Sequence, residues 1–97
     1  MYHFRYDVGV RRQLRRAVTY YQQYHPNTPP TRLLELAQAA FKSFREFPYA
    51  APTSPLDAGG LFGYRKVRVW RFVFVYRVDE ANRELVVDRI YHERAAG

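Results

Sequence analysis

At the start of the chain, Tyr2, Phe4 and Tyr6 alternate with polar residues, and this period of two predicts a short strand over residues 2–6. The period then lengthens. Val10, Leu14, Ala17, Val18, Tyr21 and Tyr24 fall on one face of a 3.6-residue helix, predicting a helix over about 8–25 with Asp7 as its N-cap. Pro26, Pro29 and Pro30 stop that helix, because proline lacks the amide and clashes with the preceding turn. A second apolar stripe, Leu33, Leu34, Ala37, Ala40, Phe41, Phe44 and Phe47, predicts a second helix capped by Thr28 or Thr31 and ended before Pro48. The short connection implies an antiparallel helical hairpin, and neither helix is long enough to be stable unless it packs on something.

Residues 48–63 hold three prolines and three glycines and read as a long irregular connection, of the kind that often carries function. From Tyr64 the period returns to two, with β-branched and aromatic residues predicting strands at about 64–70, 72–79 and 84–92. Asp79-Glu-Ala-Asn-Arg83 is a polar hairpin turn between the last two. The expected order is β-α-α-β-β-β, an α+β fold with the helical hairpin on one face of a small, mostly antiparallel sheet. One domain over residues 1–97 accommodates it.

Composition narrows the function. Sixteen Lys+Arg against nine Asp+Glu give a formal charge of +7, which points to an acidic partner, whether nucleic acid or an acidic protein segment. Fourteen of the sixteen cations are Arg, as a GC-rich genome alone would produce. There is no cysteine, so neither disulfides nor thiol chemistry is available. No apolar run approaches the ~20 residues of a membrane span, and the first residues lack the apolar core of a signal peptide. A cytoplasmic location is expected, with no membrane partner.

The strand from Tyr64 to Trp70 places Val67 and Val69 on one side and Tyr64, Lys66, Arg68 and Trp70 on the other. Two cations interleaved with two aromatics suit RNA or single-stranded nucleic acid, since rings stack on bases and cations neutralise phosphates. A solvated sheet face shows the same pattern. Arg65, Lys66, Arg68, Arg71 and Arg77 occur between Ala58 and Val78 with no acidic residue among them. Arg11, Arg12, Arg15 and Arg16 lie off the apolar stripe of the first helix, either as a solvated face or as a receptor for a partner's carboxylates. His92, beside Glu93 and Arg94, has the chemistry for proton transfer, although a structural histidine is the commoner case. His3, His25 and His92 show no metal-site spacing. Gly59-Gly60-Leu-Phe-Gly63 lacks the Lys-Ser/Thr of a phosphate-cradling loop, and no serine-nucleophile motif occurs. No metal or cofactor is expected.

With Tyr64-Arg65-Lys66 opening one strand, Phe74-Val-Tyr-Arg-Val-Asp79 in the next and Asp88-Arg-Ile-Tyr-His-Glu-Arg94 near the end, the chain resembles the RelE/ParE superfamily of bacterial toxins. Tyr20-Tyr21 and Pro48 after the second helix are similar as well, and the resemblance spans essentially the whole chain. It implies the toxin of a type II toxin–antitoxin pair. The RelE-like branch cleaves mRNA on the ribosome without a metal. On that branch Lys66, Arg68, His92 and Arg94 would supply the chemistry, with Lys66, Arg68 and Arg94 matching its basic positions. Val73 stands where such nucleases place an arginine, and the sequence ends at Gly97, before a tail able to carry a catalytic tyrosine. These departures favour the ParE-like branch, which inhibits DNA gyrase and needs no catalytic residue. Its expected target surface is Tyr64, Arg65, Lys66, Arg68, Trp70, Arg71 and Arg94. The resemblance also implies a cognate antitoxin with an acidic-apolar segment, docking on the hairpin at Arg11, Arg12, Arg15 and Arg16. A basic nucleic-acid-binding domain without toxicity is the remaining alternative.

Overall fold

A computed structural model describes residues 1–54 and 63–95. Strand β1 (His3–Tyr6) leads through a 3-10 turn at Val8–Val10 into helix α1 (Arg11–Tyr24), followed by α2 (Arg32–Glu46). Strands β2 (Arg65–Val69), β3 (Phe72–Asp79) and β4 (Glu84–His92) complete the order β-α-α-β-β-β. The sheet order is β1-β4-β3-β2. β1 runs parallel to β4, whereas β4, β3 and β2 are joined antiparallel, so the sheet is mixed.

The helices cover one face. Val10, Ala17 and Tyr21 from the first helical segment and Leu33, Ala37 and Phe41 from α2 are buried against Val67, Val69, Phe72, Phe74, Tyr76, Leu85, Val87 and Ile90. Phe4 of β1 stacks on Phe41 at 4.4 Å between ring centroids, which fastens the edge strand to α2. Tyr76, fully buried, donates from its hydroxyl to the Pro48 carbonyl at 2.6 Å and ties the end of α2 to the central strand.

Three expectations change at the element ends. Asp7 caps the 3-10 turn through the Gly9 amide, and α1 starts four residues later. Thr31 holds the N-cap position of α2 as expected but makes no side-chain cap bond, its hydroxyl donating instead to the Glu35 carboxylate at 3.3 Å, while Thr28 donates to the His25 carbonyl. Phe47 is the C-terminal flanking residue of α2 and stands 61% exposed. Tyr24, in the last turn of α1, is 52% exposed and lies outside the core. Of the 48–63 connection, Ser54 and Ala51 are buried, and Thr53 bridges to Arg65. Gly59 and Gly60 fall outside the described residues.

A bulge in β4 decides which side chains reach each face. Val75 pairs with Arg89 and Tyr76 with Val87, which leaves Asp88 as an extra residue. Before it Leu85 and Val87 face the helices; after it Ile90 and His92 do, and Arg89 and Tyr91 turn to the opposite face. The Ile90 amide donates 2.7 Å to Gln13 Oε1, so α1 serves backbone that the irregular ladder leaves open.

Candidate functional site

Three stretches far apart in sequence meet at one end of the sheet. Arg16, Tyr20 and Tyr24 recur every four residues and share one face of α1. Arg71 and Phe72 come from the β2–β3 turn and the start of β3, and His92, Glu93 and Arg94 from the end of β4. Together they line a cavity of about 470 Å³.

The turn shapes this cleft. Val69 pairs with Phe72, so only Trp70 and Arg71 connect the two strands. Trp70 adopts φ +55°, a left-handed backbone that side-chain-bearing residues rarely enter. Its ring packs against Tyr20, Tyr21, Tyr24 and His25 at 4.9–5.9 Å between centroids. Extending the strand's alternation through residue 70 places this indole beside Lys66 and Arg68, but the chain has already turned there, and it joins the helix-side cluster instead. The Arg71 guanidinium lies over the Tyr24 ring at 4.7 Å and over Trp70 at 5.0 Å.

Arg68 clamps the same end of the sheet. It donates from Nε to the Trp70 carbonyl at 3.1 Å, and its Nη2 meets Glu93 Oε2 at 2.5 Å. The Glu93 amide donates to the Arg71 carbonyl at 2.9 Å. Behind them, His92 Nδ1 accepts from the Arg94 amide at 3.1 Å, so the neutral ring carries its hydrogen on Nε2. Among the described residues that buried nitrogen has no hydrogen-bond partner, and Tyr20 and Phe72 stand edge-on to the ring. Tyr20 donates to the Tyr24 hydroxyl at 3.4 Å. This contact, reinforced by Arg71 and then Arg94, lowers the Tyr24 pKa below the ordinary phenol value.

The remaining sequence-predicted residues divide among three places. Lys66 and Arg68 lie on the sheet face away from the helices, where their cross-strand neighbours are Val75 and Val73. On the same side Tyr64 lines a shallow cavity with Val75, Asp88 and Arg89, and Arg77 meets Asp88 at 3.8 Å. Burial raises the Asp88 pKa, against the lowering effect of Arg77. Arg65 points to the helix side, where it donates to the Ala51 carbonyl at 2.7 Å and lies over the Tyr49 ring. It is thus separated from the face that carries Lys66 and Arg68. Arg11, Arg12, Arg15 and Arg16 are all exposed on α1, and among the described residues none of them forms an ion pair. His92 and Arg94 share the cleft with Arg71, while Lys66 lies outside it. The expected target residues thus lie on the open sheet face and at the sheet end, with Arg65 on the helix side.

Three features of the site escape a reading of the sequence. Tyr24 counts there as a core residue, Tyr20 has no site role, and Gln13 has none. The four-residue spacing of Arg16, Tyr20 and Tyr24 is the signal for the first two, since it marks a second helix face beside the apolar one.

A family model described as the ParE toxin of the type II toxin–antitoxin system parDE matches residues 4–97. The chain belongs to this toxin family. No curated protein and no solved structure matches it. As a type II toxin it has an antitoxin for a partner. Among the described residues of the toxin, no helix is long and apolar enough to cross a membrane.

Proposed function

We propose that this toxin inhibits DNA gyrase in the cytoplasm, acting as one domain over residues 1–97, and that its antitoxin neutralises it by docking on the helical hairpin. Membership of the ParE toxin family is the observation that carries the reading. The placement of the basic residues supports it. A metal-free ribonuclease needs its cations and its proton-transfer group around one phosphate. Here Lys66 lies on the open sheet face and His92 on the helix side, because the Asp88 bulge reverses the alternation before His92. Val73 sits beside Arg68 on the central strand, and Arg68 is occupied by Glu93.

The target surface then centres on the sheet end, where Arg71 and Arg94 border the cleft and Arg68 and Lys66 continue across the open face. The antitoxin surface is the exposed row Arg11, Arg12, Arg15 and Arg16, matched to an acidic-apolar segment. The deciding experiment adds purified toxin to gyrase and follows supercoiling and the cleavage complex. Inhibition with accumulation of cleaved DNA is expected, relieved by the antitoxin. Unchanged supercoiling and cleavage at micromolar toxin would reject the reading, and codon-phased mRNA cuts after induction would replace it with the ribonuclease.

A further inference from the structure

The sheet-end cleft has an electrostatic imbalance that gyrase inhibition alone does not use. Arg16, Arg71 and Arg94 converge on the cavity from three elements, and among the described residues none of them forms an ion pair. Among the described residues Glu93 is the single carboxylate in the lining, and Arg68 already holds it. Three like charges around one cavity repel each other, so the cleft as it stands favours an anion. Arg71 is also held in place before any ligand arrives, by the faces of Tyr24 and Trp70. A fixed guanidinium loses little freedom on binding.

We propose that this cleft binds a phosphate ester. One carboxylate brings one charge and fills one guanidinium fork. A terminal phosphate brings up to two charges and three free oxygens for several forks at once, whereas a diester strand, with one charge and two free oxygens per phosphate, matches this only through successive phosphates. Tyr20 and Tyr24 add hydroxyls at the rim, and a shallower groove of about 500 Å³ continues from the cleft along Arg12, Arg15 and Thr19, sharing Arg16 and Tyr20 with it. A second phosphate of the same ligand can follow that cationic track. Two sources offer this chemistry, the backbone of a DNA strand and a free nucleotide. The site differs from the ribonuclease set expected from the sequence, since it is built on Arg16 and Arg71 and excludes Lys66.

Trp70 is the sole tryptophan and lies directly beneath Arg71, so its fluorescence reports on the cleft. The test titrates the full chain, at constant ionic strength, with inorganic phosphate, a nucleoside diphosphate, a single-stranded DNA oligonucleotide and an acidic peptide. A saturable change is expected with the phosphate-bearing ligands, at least about tenfold tighter than with the peptide. Arg71→Gln and Arg94→Gln should each weaken phosphate-ligand binding about tenfold, while Arg32→Gln, remote on α2, leaves it unchanged. Tighter binding of the oligonucleotide than of the diphosphate identifies a strand as the source, and the reverse identifies a nucleotide. The absence of saturation, a peptide that binds equally well, or full affinity in both cleft variants with native circular dichroism would overturn the proposal. Gyrase takes no part in this measurement, so its result stands apart from the supercoiling assay.

Discussion

Two kinds of residue show opposite balances between packing and local cost. Trp70 keeps a left-handed backbone, which for an L-residue costs roughly 1–2 kcal/mol, because its indole fills the space between the end of α1 and the turn. Trp70→Ala keeps the strained backbone and loses the ring contacts, so a loss of about 2–4 kcal/mol is expected in urea denaturation. Trp70→Gly loses the same contacts but relaxes the backbone. It should be the more stable of the two variants by about 1 kcal/mol, the reverse of the usual order inside a strand. The buried tyrosines offer a second contrast. Among the described residues the Tyr6 hydroxyl has no partner, while that of Tyr76 donates to Pro48, so Tyr6→Phe is expected to be neutral or stabilising and Tyr76→Phe to cost about 1 kcal/mol. Burial pushes both phenols up to about 12. In the unfolded chain they ionise near pH 10, so the native state holds two protons that the unfolded state releases. Their contribution is therefore complete below pH 10 and is lost as the pH rises from 10 to 12. Tyrosinate absorbance should show these two groups among the nine tyrosines titrating only near pH 12 or on unfolding; their titration within the folded protein near pH 10 would contradict this.

Among the elements, legibility follows from how local the signal is. Strands β3 and β4 lie where alternation places them, at 72–79 and 84–92, and the stripes from Val10 to Tyr21 and from Leu33 to Phe44 face the sheet. Each of these patterns is set by a single period read against one core face. The bulge at Asp88 is different, because one extra residue in β4 is visible only against the register of β3. Without it, His92 and Arg89 exchange faces, and so a sequence reading cannot assign His92 to the cleft. The same holds for Trp70, where alternation runs on through a turn that only the pairing of Val69 with Phe72 defines. The cleft joins residues from 16–24, 71–72 and 92–94, and no single-segment motif spans such separations. Gln13 links helix to bulge through the Ile90 amide. Gln13→Leu should cost about 1–3 kcal/mol by leaving that amide unsatisfied, whereas Gln13→Glu retains an acceptor and should recover part of the loss. Urea denaturation with hydrogen exchange at Ile90 checks both. Equal stability of Gln13→Leu and the parent would remove α1 from the support of β4.

At the scale of the whole molecule, a charge of +7 suggests one undivided basic surface, but the cations occupy separate tasks. Arg5, Arg68 and Arg77 are engaged by Glu84, Glu93 and Asp88, and Arg65 by the Ala51 carbonyl. Among the described residues, Arg11, Arg12, Arg15 and Arg16 on α1 and Arg71 and Arg94 at the sheet end form no ion pair, and these two regions meet at Arg16 and Tyr20. An antitoxin segment lying along α1 would therefore cover one rim of the cleft as well as the helix. Replacing Arg11, Arg12 and Arg15 together with Glu, while keeping Arg16, should weaken the antitoxin complex at least tenfold, or about 1.4 kcal/mol. Added salt should erode the parent complex more than the variant complex, since exposed charge pairs are screened. Phosphate-ligand affinity should fall far less than antitoxin affinity in that variant, because Arg16, Arg71 and Arg94 remain. Saturating the parent toxin with antitoxin should instead reduce phosphate-ligand binding several-fold, read from Trp70 fluorescence, through coverage of Arg16 and Tyr20. Undiminished binding of the phosphate ligand in the antitoxin complex would place the antitoxin elsewhere on the fold and make the two cationic regions independent.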